Sequence, residues 1–98
     1  MAVVFGVLRE KDVASMLAGL DTEADATVFT RPESERAADP AEVGQGPLDR
    51  GRAGCLVVDD PVEALGVAVE AVRESSGVVL VTGSLATAAP VLRWLREA

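Results

Sequence analysis

The segment Ala2–Leu8, AVVFGVL, is apolar at every position. A strand with one face in water alternates apolar and polar residues, whereas a strand buried on both faces does not. This segment therefore predicts a strand that is covered on both sides. Three further segments of strand length have a similar apolar or β-branched character and are predicted as strands: Ala26–Thr30, Cys55–Val58 and Val78–Thr82.

Helical patterns separate two of these strands from the next. Asp12–Leu20 has apolar residues at helical spacing, with Asp12 as a candidate N-cap. After the third strand, Asp60 predicts an N-cap and Pro61 suits the first helical position. This helix is expected to run to about Ser75, with an apolar face formed by Val62, Leu65, Val69 and Val72.

The remaining connections are less regular. Arg31–Gly54 is rich in glycine and proline and is predicted to be a long loop with one helical turn at Pro40–Val43. A last helix is expected to reach the C-terminus, and Thr87 as its cap would place Pro90 in the first turn, where no amide donor is needed. The alternation predicts one α/β domain over residues 1–98, a parallel Rossmann-like sheet of about four strands with helices on both faces.

Composition excludes several classes of function. The 98 residues carry nine basic and sixteen acidic side chains, and this net charge of −7 argues against a nucleic-acid partner. The chain has no histidine and one cysteine, so it offers no set of metal ligands and no internal disulfide. We expect a cytoplasmic protein, because its single Cys55 cannot form an internal disulfide. We expect no membrane partner, because the apolar start is far too short to span a bilayer.

The carboxyl ends of parallel strands are where open α/β sheets bind ligands. The polar segments expected there are Arg9–Asp12, Thr30–Pro32, Asp59–Asp60 and Thr82–Ser84. Each also has a structural interpretation, since aspartates cap helices, glycine allows turns, and arginines in loops are usually solvated. A phosphate-binding P-loop needs Gly-x-x-x-x-Gly-Lys-Ser/Thr, which is absent, and a serine nucleophile here would lack a histidine. The sequence contains no complete catalytic apparatus, and no catalytic residue is predicted.

The order of several short motifs resembles a known family. The motifs are Phe-Gly-Val-Leu at 5–8, Glu-Lys-Asp at 10–12, Glu-Arg-Ala at 35–37, Asp-Pro-Val-Glu-Ala-Leu at 60–65 and Val-Thr-Gly-Ser-Leu at 81–85. Together they are similar to the C-terminal domain of the Mur ligase superfamily, and most similar to its folylpolyglutamate synthase/dihydrofolate synthase branch. The resemblance covers the whole chain.

The resemblance implies a part in an ATP-dependent folate–glutamate ligase. Such enzymes use ATP and Mg²⁺ to activate a folate carboxylate, which the amino group of glutamate then attacks. The C-terminal domain closes over a central domain that holds the nucleotide, so this chain alone would bind no cofactor and would be inactive. The resemblance implies that Arg36, Gly83 and Ser84 bind the incoming glutamate, and that Lys11 and Asp12 face the cleft between the domains.

Three departures from the family pattern bear on these expectations. Glu10 and Glu35 replace the usual aspartate and proline. The first strand and helix of the family domain are missing before Ala2, so we expect an exposed sheet edge and possible homo-oligomers. The partners implied are the remaining domains of the ligase, with glutamate and folate as substrates. The alternative is a stand-alone, non-catalytic α/β module that binds a small anion or a partner protein.

Overall fold

Four parallel strands form a single sheet. The computed structural model of the chain describes residues 1–9, 16, 26–49, 54–73, 79–83 and 85–97. The strands are β1 (Ala2–Gly6), β2 (Ala26–Phe29), β3 (Cys55–Val57) and β4 (Val79–Gly83), in the order β3-β2-β1-β4. The four predicted strands and their parallel arrangement are confirmed.

Strand β1 lies at the centre of the sheet and is buried along its whole length. Its register aligns Ala2 with both Ala26 of β2 and Val79 of β4. β1 is shorter than predicted, because Leu8 leaves the parallel ladder and forms an isolated antiparallel bridge with Ala37. The uniform apolar pattern of this segment thus reflects cover on both faces.

The two faces of the sheet bury different kinds of side chain. On one face Ala2, Val4 and Val28 form an aliphatic cluster with residues of the helix that follows β3. On the other face Phe5 and Phe29 meet edge to face, with ring centroids 6.2 Å apart and an interplanar angle of 77°. Val3, Val7 and the partly buried Met16 and Val43 complete this aromatic cluster. Helices therefore lie on both faces, as predicted.

Three helices are described: α1 (Pro40–Asp49), α2 (Pro61–Val72) and α3 (Leu85–Glu97). The prediction of one helical turn at Pro40–Val43 is wrong, because α1 continues to Asp49. Gly44, Gly46 and Pro47 argued against a helix there, but tertiary packing of the segment against β2 and β3 outweighs their poor helix propensity. The predicted helix Asp12–Leu20 lies outside the described residues except for Met16.

Helix α2 begins as predicted but buries another face. The Asp60 carboxylate accepts a hydrogen bond from Glu63 N at 3.0 Å, and Pro61 occupies the first turn. The buried residues are Pro61, Ala64, Ala68 and Val72. Of the predicted face, Val72 is therefore buried, Val62 and Leu65 are partly buried, and Val69 is 46% exposed. Most residues of α2 are apolar, so the spacing of apolar residues does not show which face of the helix is buried. The alanines face inward because their small side chains let the helix backbone approach β1 closely.

Helix α3 starts earlier than expected. Thr87 is not its cap but a buried residue inside it, so Pro90 lies beyond the first turn rather than within it. Proline cannot donate the helical hydrogen bond to the carbonyl four residues before it, and its ring crowds that carbonyl. Helix α3 therefore contains an interruption in its hydrogen-bond ladder at Pro90.

Candidate functional site

The carboxyl ends of all four strands meet at one edge of the sheet, because the strands are parallel. The chain runs from β1 through β2 to β3 in one direction and then returns to the other side of β1 as β4. Where strand order reverses in this way a crevice opens, and open α/β sheets bind their ligands there. The ends of β1 and β4 therefore form the candidate ligand-binding edge.

Two glycines mark this switch point. Gly83 ends β4 and pairs with Gly6, which ends β1. A Cβ at Gly6 would lie 2.6 Å from Thr87 Oγ1 and 2.9 Å from the Thr30 carbonyl oxygen, which is too close for any larger residue. The absence of a side chain at Gly6 thus allows α3 and the end of β2 to approach β1 closely.

Arg36 lies in a loop that returns from β2 to the continuation of β1. Arg9 N donates to Arg36 O at 2.9 Å, next to the antiparallel bridge between Leu8 and Ala37. Arg36 N donates in turn to Ser34 Oγ at 3.1 Å. These bonds fix the backbone of Arg36 beside the carboxyl end of β1 and leave the residue exposed.

Of the predicted site residues, Arg36 and Gly83 fall within the described part of the chain. They flank the carboxyl end of β1, with Arg36 joined to its continuation and Gly83 joined to its last residue. Ser84, Lys11 and Asp12 lie outside the described residues. The observed geometry of the site therefore rests on Arg36 and Gly83.

Arg9 belongs to a polar segment predicted at this edge, but the sequence did not assign it a binding role. Besides its backbone bond to Arg36, its Nη2 lies 3.5 Å from the Glu35 carbonyl oxygen, across 26 sequence positions. Both arginines are exposed and sit on neighbouring antiparallel segments. No local sequence signal predicts this pairing, because the bridge between Leu8 and Ala37 creates it.

Arg31 connects the loops that follow β2 and β3. Its Nη2 lies 3.6 Å from Asp39 Oδ1 and 3.8 Å from Asp59 Oδ1, so it is more than the solvated arginine that the sequence suggested. The Asp59 carbonyl also accepts a hydrogen bond from the hydroxyl of the buried Thr30 at 3.0 Å. Asp59 thus binds Thr30 through its backbone carbonyl, and Asp60 caps α2. Both contacts are structural, as the sequence suggested for this pair.

The chemistry offered at this edge suits an anion. Arg9 and Arg36 present two guanidinium groups, which pair well with carboxylates because each has several N–H donors in one plane. Within the described ranges, no group of His, Cys, Asp and Glu side chains is arranged so that it could hold a metal ion. Nor does any described helix have the length and apolar character needed to cross a membrane.

Strand order, parallel register and the loops gathered at the switch point define an open α/β domain of the kind that binds ligands at the carboxyl edge of its sheet. The sequence profile of the family described as Mur ligase, glutamate ligase domain, matches residues 1–85. The chain therefore belongs to the Mur ligase family through its glutamate ligase domain. No curated protein sequence matches the chain at a significant level.

Solved structures with this fold come from much longer proteins. Mycobacterium tuberculosis folylpolyglutamate synthase complexed with ADP is 25% identical to the chain and superposes with a TM-score of 0.79 over 99% of it. A bifunctional folylpolyglutamate synthase/dihydrofolate synthase from Yersinia pestis, complexed with AMPPNP and a manganese ion, gives 24% identity and a TM-score of 0.76 over 97%. The chain spans 23% of the first protein and 22% of the second. The Mur ligase C-terminal fold predicted from the sequence is thereby confirmed.

Proposed function

We propose that this chain is the glutamate-binding domain of an ATP-dependent folate–glutamate ligase and acts in the cytoplasm. The observation that carries the proposal is the pair of arginines, Arg9 and Arg36, held on adjacent segments beside the sheet's switch point. The family assignment and the fold shared with folylpolyglutamate synthases support it. Glutamate has two carboxylates, and a guanidinium group is a suitable partner for a carboxylate.

Each part of the site has a distinct task in this proposal. Arg36 pairs with one carboxylate of glutamate, and Arg9 adds positive charge beside it. Gly83 and Ser84 contribute a backbone amide and a hydroxyl as hydrogen-bond donors, without covalent chemistry. Lys11 and Asp12 face the cleft toward the other domains of the ligase.

ATP and Mg²⁺ belong to those other domains. The described residues offer no metal site, and the sequence offers no P-loop for the nucleotide. The contribution of this chain is to bind and orient the amino acid whose amino group attacks the activated folate.

Titration of the ¹⁵N-labelled chain with L-glutamate, followed by NMR, tests the proposal. We expect chemical-shift changes confined to the segments around Arg9, Arg36 and Gly83. Arg36→Gln should weaken binding by about tenfold or more, because it removes a charge-assisted hydrogen bond to a carboxylate. L-Glutamine, which has one carboxylate fewer, should bind more weakly than L-glutamate.

Arg73→Gln is the matched control, because Arg73 is exposed, follows α2 at the opposite end of that helix from Pro61, and carries the same charge. It should leave glutamate binding unchanged. If Arg73→Gln weakened binding as much as Arg36→Gln, the effect would be one of net charge and the assigned site would be wrong. Calorimetry should show no micromolar binding of ATP, and such binding would contradict the division of tasks between domains.

A further inference from the structure

The first half of α3 is fixed to the end of β1. The buried Thr87 hydroxyl donates to the Gly6 carbonyl at 2.8 Å, between residues 81 positions apart. This contact lies at the switch point of the sheet, beside the pair formed by Gly6 and Gly83. The helix therefore reaches over the crevice from its first turn.

The second half of α3 is tied to the loop that follows β2. Arg93 Nη2 donates to both carboxylate oxygens of Glu33, at 2.9 and 2.7 Å, across 60 positions. Since β2 lies on the far side of β1 from β4, α3 passes from the end of β4 over the end of β1 toward β2. Val91 is buried but belongs to neither described cluster on the sheet faces, and α3 also packs against α2 and β4.

The two attachments differ in kind. The Thr87 hydrogen bond is buried, whereas the ion pair is exposed, with 54% of the Arg93 side chain and 62% of the Glu33 side chain accessible. Exposed ion pairs contribute little and are weakened by salt. Beyond the buried Val91, apolar burial adds little, because Leu92, Trp94 and Leu95 are 49%, 46% and 54% exposed.

Pro90 lies between the two attachments, where the helical hydrogen-bond ladder is interrupted. A weakly held, poorly buried half-helix beyond such an interruption has the features of a segment that opens locally. We propose that the segment 91–97 is a cover over the carboxyl edge of the sheet, with Pro90 as its hinge and the Arg93–Glu33 ion pair as its latch. Opening releases the loop after β2 while the Thr87 bond keeps the first half of α3 in place.

The cover does not depend on which ligand the edge binds, and its test needs no ligand. Arg93→Gln and Glu33→Gln should each raise amide hydrogen exchange in the segments 91–97 and 31–35 by about two- to fivefold. The double variant should add little, because each substitution breaks the same contact. Trp94 is the single tryptophan of the chain, so acrylamide quenching of its fluorescence should increase in the same variants.

Arg73→Gln breaks a comparable exposed ion pair, with Glu70, within one helix, and should leave exchange at 91–97 unchanged. Pro90→Ala should slow that exchange, because it restores a donor to the helix ladder. The proposal is overturned if Arg93→Gln changes exchange no more than Arg73→Gln does. A rise that is equally large in β1 would also overturn it, because that would mean global unfolding rather than opening of a cover.

Discussion

Helices α1 and α2 open on the same four-residue pattern, Asp-Pro-x-Glu, yet the sequence predicted their lengths unequally well. Asp39 Oδ1 accepts from Ala41 N at 3.0 Å, and Asp60 Oδ2 accepts from Glu63 N at 3.0 Å. Each aspartate carbonyl also accepts the first helical hydrogen bond. Both helices therefore begin with the same kind of aspartate N-cap. The difference between them arises further along each helix.

The difference lies in the residue that meets the sheet. α1 places Gly44 against the ring of Phe29, whereas α2 places Ala64 and Ala68 against the aliphatic face. Gly44 is a poor helix former, but only a residue without a side chain lets the backbone approach the aromatic ring so closely. The glycine that argued against a helix in the sequence is thus the residue that lets the helix pack.

Among the substitutions that test this difference, Gly44→Ala should have the largest effect on the free energy of unfolding. A Cβ at Gly44 would lie 2.9 Å from Phe29 Cδ2, and the ring cannot move away because it is buried against Phe5. We expect a loss of about 1–3 kcal/mol in the free energy of unfolding, as for other overpacked cores. Urea denaturation followed by circular dichroism would measure it, and an unchanged midpoint would mean that α1 does not pack on Phe29 as described.

Removing the two caps should have similar, intermediate effects. Asp39→Ala and Asp60→Ala should each cost about 1 kcal/mol, because each leaves an amide of the first turn without its acceptor. Asparagine at either position should retain most of the stability, since its side-chain oxygen also caps helices. Urea denaturation measures these losses in the free energy of unfolding. If Asp39→Asn lost as much as Asp39→Ala, Asp39 would stabilise the chain through its ion pair with Arg31 and not through the helix cap.

Gly66→Ala should have the smallest effect and the opposite sign. Gly66 is an exposed residue of α2, and a Cβ there would meet no atom within 4 Å. Alanine should stabilise the chain by about 0.5–1 kcal/mol, because it restricts the unfolded chain and favours the helix. Replacing glycine by alanine is thus expected to destabilise the chain at Gly44 in α1 and to stabilise it at Gly66 in α2. Thermal melts that show increased stability for both variants would contradict this difference between the two helices.

The fold was predictable where a local pattern sufficed. The apolar run at Ala2–Leu8 and the cap at Asp60 determined the central strand and the start of α2 correctly. The length of α1 and the buried face of α2 were not predictable, because both depend on how closely a helix can approach the sheet. That distance is a tertiary property, visible at Gly44 and Ala64 only once the strands are in place.

The site was predictable to a lesser degree. Arg36 and Gly83 were inferred through a family resemblance, and the structure describes both at the carboxyl end of the sheet. Their role in binding glutamate stays a prediction. Arg9 was predicted to lie at this edge but without a role, and Arg93 was not predicted there, because their contacts with the Arg36 loop and with Glu33 join residues far apart in the sequence.

The central position of β1 has a consequence for how the chain folds during synthesis. Of the four strands, β1 leaves the ribosome first, but the strand that covers its second edge, β4, is made only after α2. During this interval the unpaired edge of an uncharged, wholly apolar strand stays available to other chains, and contacts so distant in sequence form slowly. The nascent chain therefore exposes one edge of β1 until β4 emerges, and protection against misassembly is needed throughout that interval.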